Sequence, residues 1–157
     1  MLNELNRDNN VLDCSVNFNG NHVIQKILMN MGKDNSSLAL KKFISEIEKD
    51  FIMLCQHENG CRVIQRMIDH CAQDMIKPIV DKVLSKYNVF IKDQYGTFVL
   101  CSILENGNDD QREYILEQVK NNAKSMGIDR DGSKLLENCI KMIGGPQTQG
   151  KEKLEKL

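Results

Sequence analysis

Four glycine-led heptapeptides recur along the chain. They are Gly-Asn-His-Val-Ile-Gln-Lys from Gly20, Gly-Cys-Arg-Val-Ile-Gln-Arg from Gly60, Gly-Thr-Phe-Val-Leu-Cys-Ser from Gly96 and Gly-Ser-Lys-Leu-Leu-Glu-Asn from Gly132. Successive glycines stand 40, 36 and 36 residues apart. A repeat of that length is one supersecondary unit that cannot bury its own apolar face, so neighbours must stack. Apolar positions of the heptad stay apolar while its polar positions change identity. That is the pattern of a scaffold carrying a variable surface.

The period extends beyond the heptads. Six residues before the glycines stand Cys14, Leu54, Phe90 and Met126, and three before stand Asn17, His57, Asp93 and Asp129. After the glycines, apolar pairs recur at Val23/Ile24, Val63/Ile64, Val99/Leu100 and Leu135/Leu136. One turn later come Ile27/Leu28, Met67/Ile68, Ile103/Leu104 and Cys139/Ile140. Offsets of four place these on one helical stripe. Further helical patterns run over 38–54, 75–91 and 114–126. Each unit is therefore expected to hold two helices joined by a short turn, with the glycine at the entry to the second. The fold class is all-α, a curved α-solenoid.

At 157 residues the chain suits one domain with a sizeable core. Only two prolines interrupt it, and Pro78 falls close to a predicted helix start, where proline is tolerated. Residues 30–37 read as an inter-unit loop that lengthens the first spacing. The absence of a long apolar run or signal-peptide pattern predicts a soluble, non-secreted, cytoplasmic protein with no membrane partner. None of the six cysteines forms a C-x-x-C pair, so they read as small buried hydrophobes in a reducing compartment. His57, Cys61, His70 and Cys71 are too separated by the turn at Gly60 to supply four convergent zinc ligands. No metal, cofactor or small-molecule substrate is expected. The absence of a nucleophile or phosphate-loop motif argues against an enzyme.

The polar positions define a candidate surface. Taking the residue after each glycine as position one of the second helix, positions one, two and five are Asn21, His22 and Gln25; Cys61, Arg62 and Gln65; Thr97, Phe98 and Cys101; Ser133, Lys134 and Glu137. They are expected to lie away from the apolar stripe, on a face shared by every unit. The middle slot holds an imidazole, a guanidinium, an aromatic ring and a lysine stem, all able to stack on or flank a nucleobase. The outer slots can meet a base edge. The amides of Asn21 and Gln25 match the donor and acceptors of uracil. Cys61 with Gln65 suits adenine. A carboxylate accepts from two parallel donors, which only guanine presents, so Glu137 reads guanine.

These units resemble the Pumilio (PUF) family of RNA-binding proteins over about residues 12–143. The resemblance rests on the N-x-x-x-Q, C-R-x-x-Q and S-x-x-x-E patterns and on the strings Asp93-Gln94-Tyr95-Gly96 and Cys61-Arg62-Val63-Ile64-Gln65. It implies a partial Pumilio-homology domain over 1–145, with repeats at about 1–32, 36–70, 74–107 and 109–143, similar to the fourth to seventh of the family's eight. Residues 146–157 form a polar C-terminal tail. It implies single-stranded RNA, in particular mRNA, running antiparallel to the protein and read as 5′-G-N-A-U-3′ within UGUA-type elements of 3′ untranslated regions. Post-transcriptional repression follows, with repression or deadenylation factors on the convex face. Thr97 and Cys101 depart from the family's Asn and Gln and lack an amide.

Charge is the counterweight, since the formal net charge is −1 and many nucleic-acid binders are basic. Its distribution matters more, because Lys26, Arg62, Arg66 and Lys134 fall on the reading side of the second helices. An alternative reading is a protein-binding scaffold of HEAT or armadillo type, which explains the solenoid but not Gln65 and Glu137 at one slot.

Overall fold

The computed structural model describes residues 10–34, 36–128 and 130–144. Every regular element among them is a helix: α1 Asn10–Val16, α2 Gly20–Met31, α3 Leu38–Lys49, α4 Phe51–Cys55, α5 Gly60–His70, α6 Gln73–Ser85, α7 Tyr87–Phe90, α8 Gly96–Asn106, α9 Asp109–Met126 and α10 Arg130–Gly144. The protein is an all-α solenoid of two layers. The second helices α2, α5, α8 and α10 pack on one another in sequence order, and α3, α6 and α9 form the other layer. Contacts are more extensive between successive second helices than within the other layer. One continuous apolar core runs from Val11 to Cys139, with Phe43, Leu54, Ile64, Phe90 and Leu100 fully buried.

The expected pair of helices per unit becomes three in the second and third units. The 38–54 pattern breaks at Asp50 (φ −117°, ψ 24°) and the 75–91 pattern at Lys86 (φ −108°, ψ 20°). Each break turns the chain into a short helix, α4 or α7, that returns it to the glycine. In the fourth unit α9 is unbroken and starts before the apolar pattern does. Its start is fixed by a reciprocal pair at Asn108 and Gln111. The Gln111 N–H donates to Asn108 Oδ1 at 2.9 Å, and the Asn108 N–H donates to Gln111 Oε1 at 3.0 Å. This is a capping box, with Asp109 and Asp110 in the favourable first turn.

The glycines serve close approach. A Cβ at Gly20 would lie 2.7 Å from the Cys14 carbonyl oxygen, at Gly60 2.7 Å from that of Leu54, and at Gly96 2.9 Å from Phe90 Cα. The two sequence periods thus meet in one contact, the short helix crossing under the first turn of the second helix. Gly20, Gly60 and Gly96 each open their helix as expected. Gly132 instead lies inside α10, which starts at Arg130, with Asp131 of the first turn paired to Lys134 at 3.6 Å.

Two further expectations shift. Pro78 lies within α6 rather than at its start. It is exposed, and having no N–H it donates no hydrogen bond within the helix. Helix α2 runs to Met31, which shortens the 30–37 loop. Residues 1–9, Asn35, Asp129 and the 146–157 tail lie outside the described residues.

The outermost second helices keep apolar faces open. Val23 is 47% exposed, whereas Val63, Val99 and Leu135 at the same position are at 0%. Ile140 is 60% exposed, while its counterparts Leu28, Ile68 and Leu104 are buried. No helix among the described residues is long and apolar enough to cross a membrane.

Candidate nucleic-acid interface

The second helices α2, α5 and α8 each begin on a turn closed by a side chain. Asn17 Oδ1 accepts from the N–H groups of Asn19 and Gly20, both at 2.9 Å. Asp93 Oδ1 accepts from Tyr95 at 2.9 Å and Gly96 at 2.7 Å. His57 takes the same role through Nδ1, accepting from Asn59 at 3.1 Å and Gly60 at 3.3 Å. These are the residues three before the glycines, and their shared trait is an acceptor that reaches back to the main chain. The signal was present in the sequence as a period of Asn, His and Asp.

The turn sets where the triplets fall. Position two is on the surface in the first three units, where His22, Arg62 and Phe98 are exposed, and Lys134 is half-buried. Position five is half-buried at Gln25 and Gln65, exposed at Glu137 and buried at Cys101. Position one corrects the expectation of a wholly exposed trio, for Asn21, Cys61 and Thr97 are buried and only Ser133 is partly open. The short helix and its turn cover the start of the second helix, so these side chains bond backward. Asn21 Nδ2 donates to the carbonyls of Asn17 at 2.8 Å and Phe18 at 2.7 Å. Thr97 Oγ1 donates to the Asp93 carbonyl at 2.9 Å, and Ser133 Oγ to that of Arg130 at 2.8 Å.

Contacts across unit boundaries join the faces into one row. Lys134 Nζ lies 4.7 Å from the centroid of the Phe98 ring, linking position two of the fourth unit to position two of the third. Arg66 Nε donates to Gln25 Oε1 at 3.3 Å, linking the second unit to the first. Sequence reasoning placed Arg66 on this side only as a charge. Position-five chemistry differs along the row. Burial pushes the Cys101 thiol up to about 11, against a hydrogen bond with Asn138, so it stays a neutral thiol. Glu137 is held below the usual carboxylate range, first by its hydrogen bond with Lys141 and then by that residue's charge at 2.8 Å. All six cysteines are free thiols. Among the described residues no group of three His, Cys, Asp or Glu side chains converges as for a metal.

A family model for the Pumilio-family RNA binding repeat matches residues 10–34, 50–84 and 89–120, more than half of the chain. The chain belongs to the Pumilio family. A Pumilio domain-containing protein of Schizosaccharomyces pombe is 28% identical over 131 residues, covering 83% of this chain and 19% of that protein. Pumilio homology domain family member 4 of Saccharomyces cerevisiae is 29% identical over 134 residues, covering 83% of this chain and 15% of that protein. Among solved structures, the Puf4 RNA binding domain bound to the HO endonuclease RNA 3′ UTR recognition sequence superposes with a TM-score of 0.76. It is 26% identical and covers 89% of this chain and 43% of that one. PUF-8 in complex with PBE-RNA shares the fold, with a TM-score of 0.79, 23% identity and coverage of 89% and 40%. The chain thus spans less than a fifth of these two curated Pumilio relatives and less than half of each of these solved chains.

Proposed function

We propose that this Pumilio chain binds single-stranded RNA sequence-specifically along the α2–α5–α8–α10 face, one base to each unit. The observation that carries the reading is the contact of Lys134 with Phe98, which makes position two of adjacent units neighbours. A base laid on the Phe98 ring takes the place of the ammonium, and the residue at position five lies one helical turn further along the same helix. Glu137 then offers two carboxylate oxygens to guanine, Gln65 an amide to adenine and Gln25 an amide to uracil. Cys101 offers no amide, so the third unit stacks its base and selects weakly. The order read is 5′-G-N-A-U-3′. Support from outside the chain comes from the Puf4 domain, whose structure holds a 3′ UTR recognition sequence.

On the same reading the targets are UGUA-type elements in mRNA 3′ untranslated regions. The outcome is post-transcriptional repression in the cytoplasm, with repression or deadenylation factors recruited to the outer layer.

Titration of labelled UGUAU and scrambled RNAs with the 157-residue chain tests this. Four stacked bases at about 1–3 kcal/mol each, set against the cost of ordering a strand, predict micromolar or weaker binding with preference for UGUAU. Equal binding of both RNAs would refute sequence reading. Low-nanomolar affinity would show that more than four contacts are made.

A further inference from the structure

Gln25 is held at both ends of its amide. Its Nε2 donates to Asn21 Oδ1 at 2.8 Å, and its Oε1 accepts from Arg66 Nε at 3.3 Å. Neither partner leaves the orientation open. Asn21 spends its amide donors on the Asn17 and Phe18 carbonyls and so presents an oxygen. Arginine has donors and no acceptor. The nitrogen of Gln25 therefore faces Asn21 and its oxygen faces the second unit.

Arg66 is itself anchored. Its Nη1 pairs with Asp69 at 3.1 Å. Asp69 Oδ1 also accepts from Ser102 Oγ at 2.7 Å and Asn106 Nδ2 at 3.0 Å, both on α8. A chain of polar contacts thus runs through three consecutive second helices and ends on a reading amide. The slot recurs, for Asn138, at position six of the fourth unit as Arg66 is of the second, hydrogen-bonds Cys101 at position five of the third.

Orientation matters because of what pyrimidines present. Uracil places the acceptor O4 beside the donor N3–H, whereas cytosine places the donor N4–H₂ beside the acceptor N3. A carboxamide turned end for end exchanges its donor and acceptor, and so exchanges its preferred pyrimidine. We propose that Arg66, anchored by Asp69, is a positioning residue that fixes the Gln25 amide and thereby sets uracil over cytosine at the first unit. Base choice at one unit is then partly written in the next. This rests on the RNA reading proposed above. Arginine suits the task because Nε and Nη1 engage two partners from one rigid plane, which a lysine ammonium does not reproduce.

The test is fluorescence anisotropy with UGUAU and UGUAC RNAs, using the whole chain and its Arg66→Met and Arg66→Lys variants. Guanine discrimination at the Ser133/Glu137 unit serves as internal control. Arg66 is exposed, and its i,i+3 pair with Asp69 contributes little to stability, so both variants are expected to fold. Arg66→Met is expected to lower the uracil-to-cytosine ratio about 3- to 10-fold, the effect of one lost hydrogen bond, with the guanine ratio unchanged. Arg66→Lys is expected to recover overall affinity but not the pyrimidine ratio. An equal loss for both RNAs in Arg66→Met, or a ratio restored by Arg66→Lys, would make Arg66 a general charge contact and overturn the inference alone. A wild-type chain with no preference for UGUAU over scrambled RNA would remove the RNA reading, and the inference with it.

Discussion

The ammonium of Lys134 sits 4.7 Å from the centre of the Phe98 ring, one unit reaching across to cover an aromatic face of the unit before it. On the function proposed above, a base entering between them would exchange a solvent-exposed cation–π contact for aromatic stacking and free the ammonium to meet a phosphate.

Phe98→Ala is expected to weaken RNA binding by about 1–3 kcal/mol. Because every base has a stacking face, the loss should be alike for all four bases at that position. An anisotropy series over the four RNAs checks this. A loss confined to one base would assign Phe98 to edge reading.

Glu137→Gln combined with Ser133→Asn is expected to move preference at the fourth unit from guanine to uracil, a discrimination of about 1–3 kcal/mol in comparable base-edge contacts. Competition binding with the G-to-U RNA measures it, and an unchanged preference would refute the assignment. The pH dependence has a definite sign. Lys141 lowers the Glu137 pKa, so the carboxylate stays ionised as pH falls. Guanine preference should hold from neutral pH through the ordinary carboxylate range and fade only below it. Loss of preference by pH 6 would contradict it.

Gly60→Ala and Gly96→Ala are expected to destabilise the fold by about 1–3 kcal/mol each, the usual cost of overpacking. The added methyl would meet backbone atoms of Leu54 or Phe90, which cannot swing aside as a side-chain tip can. Urea midpoints report the loss, and wild-type midpoints in both variants would mean that the short helices give way freely.

His57→Asn should leave stability near wild type, because Asn17 shows that an asparagine closes the same turn. His57→Ala removes the acceptor for the Asn59 and Gly60 N–H groups and should cost about 0.5–2 kcal/mol, as helix-capping losses do. Equal melting curves for the two variants would sink the idea that the imidazole acts as a turn acceptor.

The stacking was legible in the sequence because four copies of one pattern repeat the same evidence. The stripe through Ile24, Ile64 and Leu100 lies in the core as its spacing predicts. The breaks at Asp50 and Lys86 were not legible, since neither Gly nor Pro marks them and the flanking residues continue a helical pattern. They are imposed by the need to bring Leu54 and Phe90 under the glycines. The start of α9 was legible as Asn108-Asp-Asp-Gln111 but hidden from a search for apolar periodicity. The burial of Asn21 and Thr97 escaped a reading of one helix at a time, because the cover comes from the preceding turn. The Arg66–Gln25 contact escaped it for a related reason: it depends on the distance between helices, which no single unit encodes.

The contact beneath Gly20, Gly60 and Gly96 is made largely of main chain against main chain. It therefore works as a ruler whose graduations are independent of what is written beside them. Exchanging the exposed residues His22, Arg62 or Phe98 alters what each mark reads without moving the mark. A library varied at positions two and five should thus change its alphabet while keeping its pitch, and a displaced register should arise from changes at the glycines.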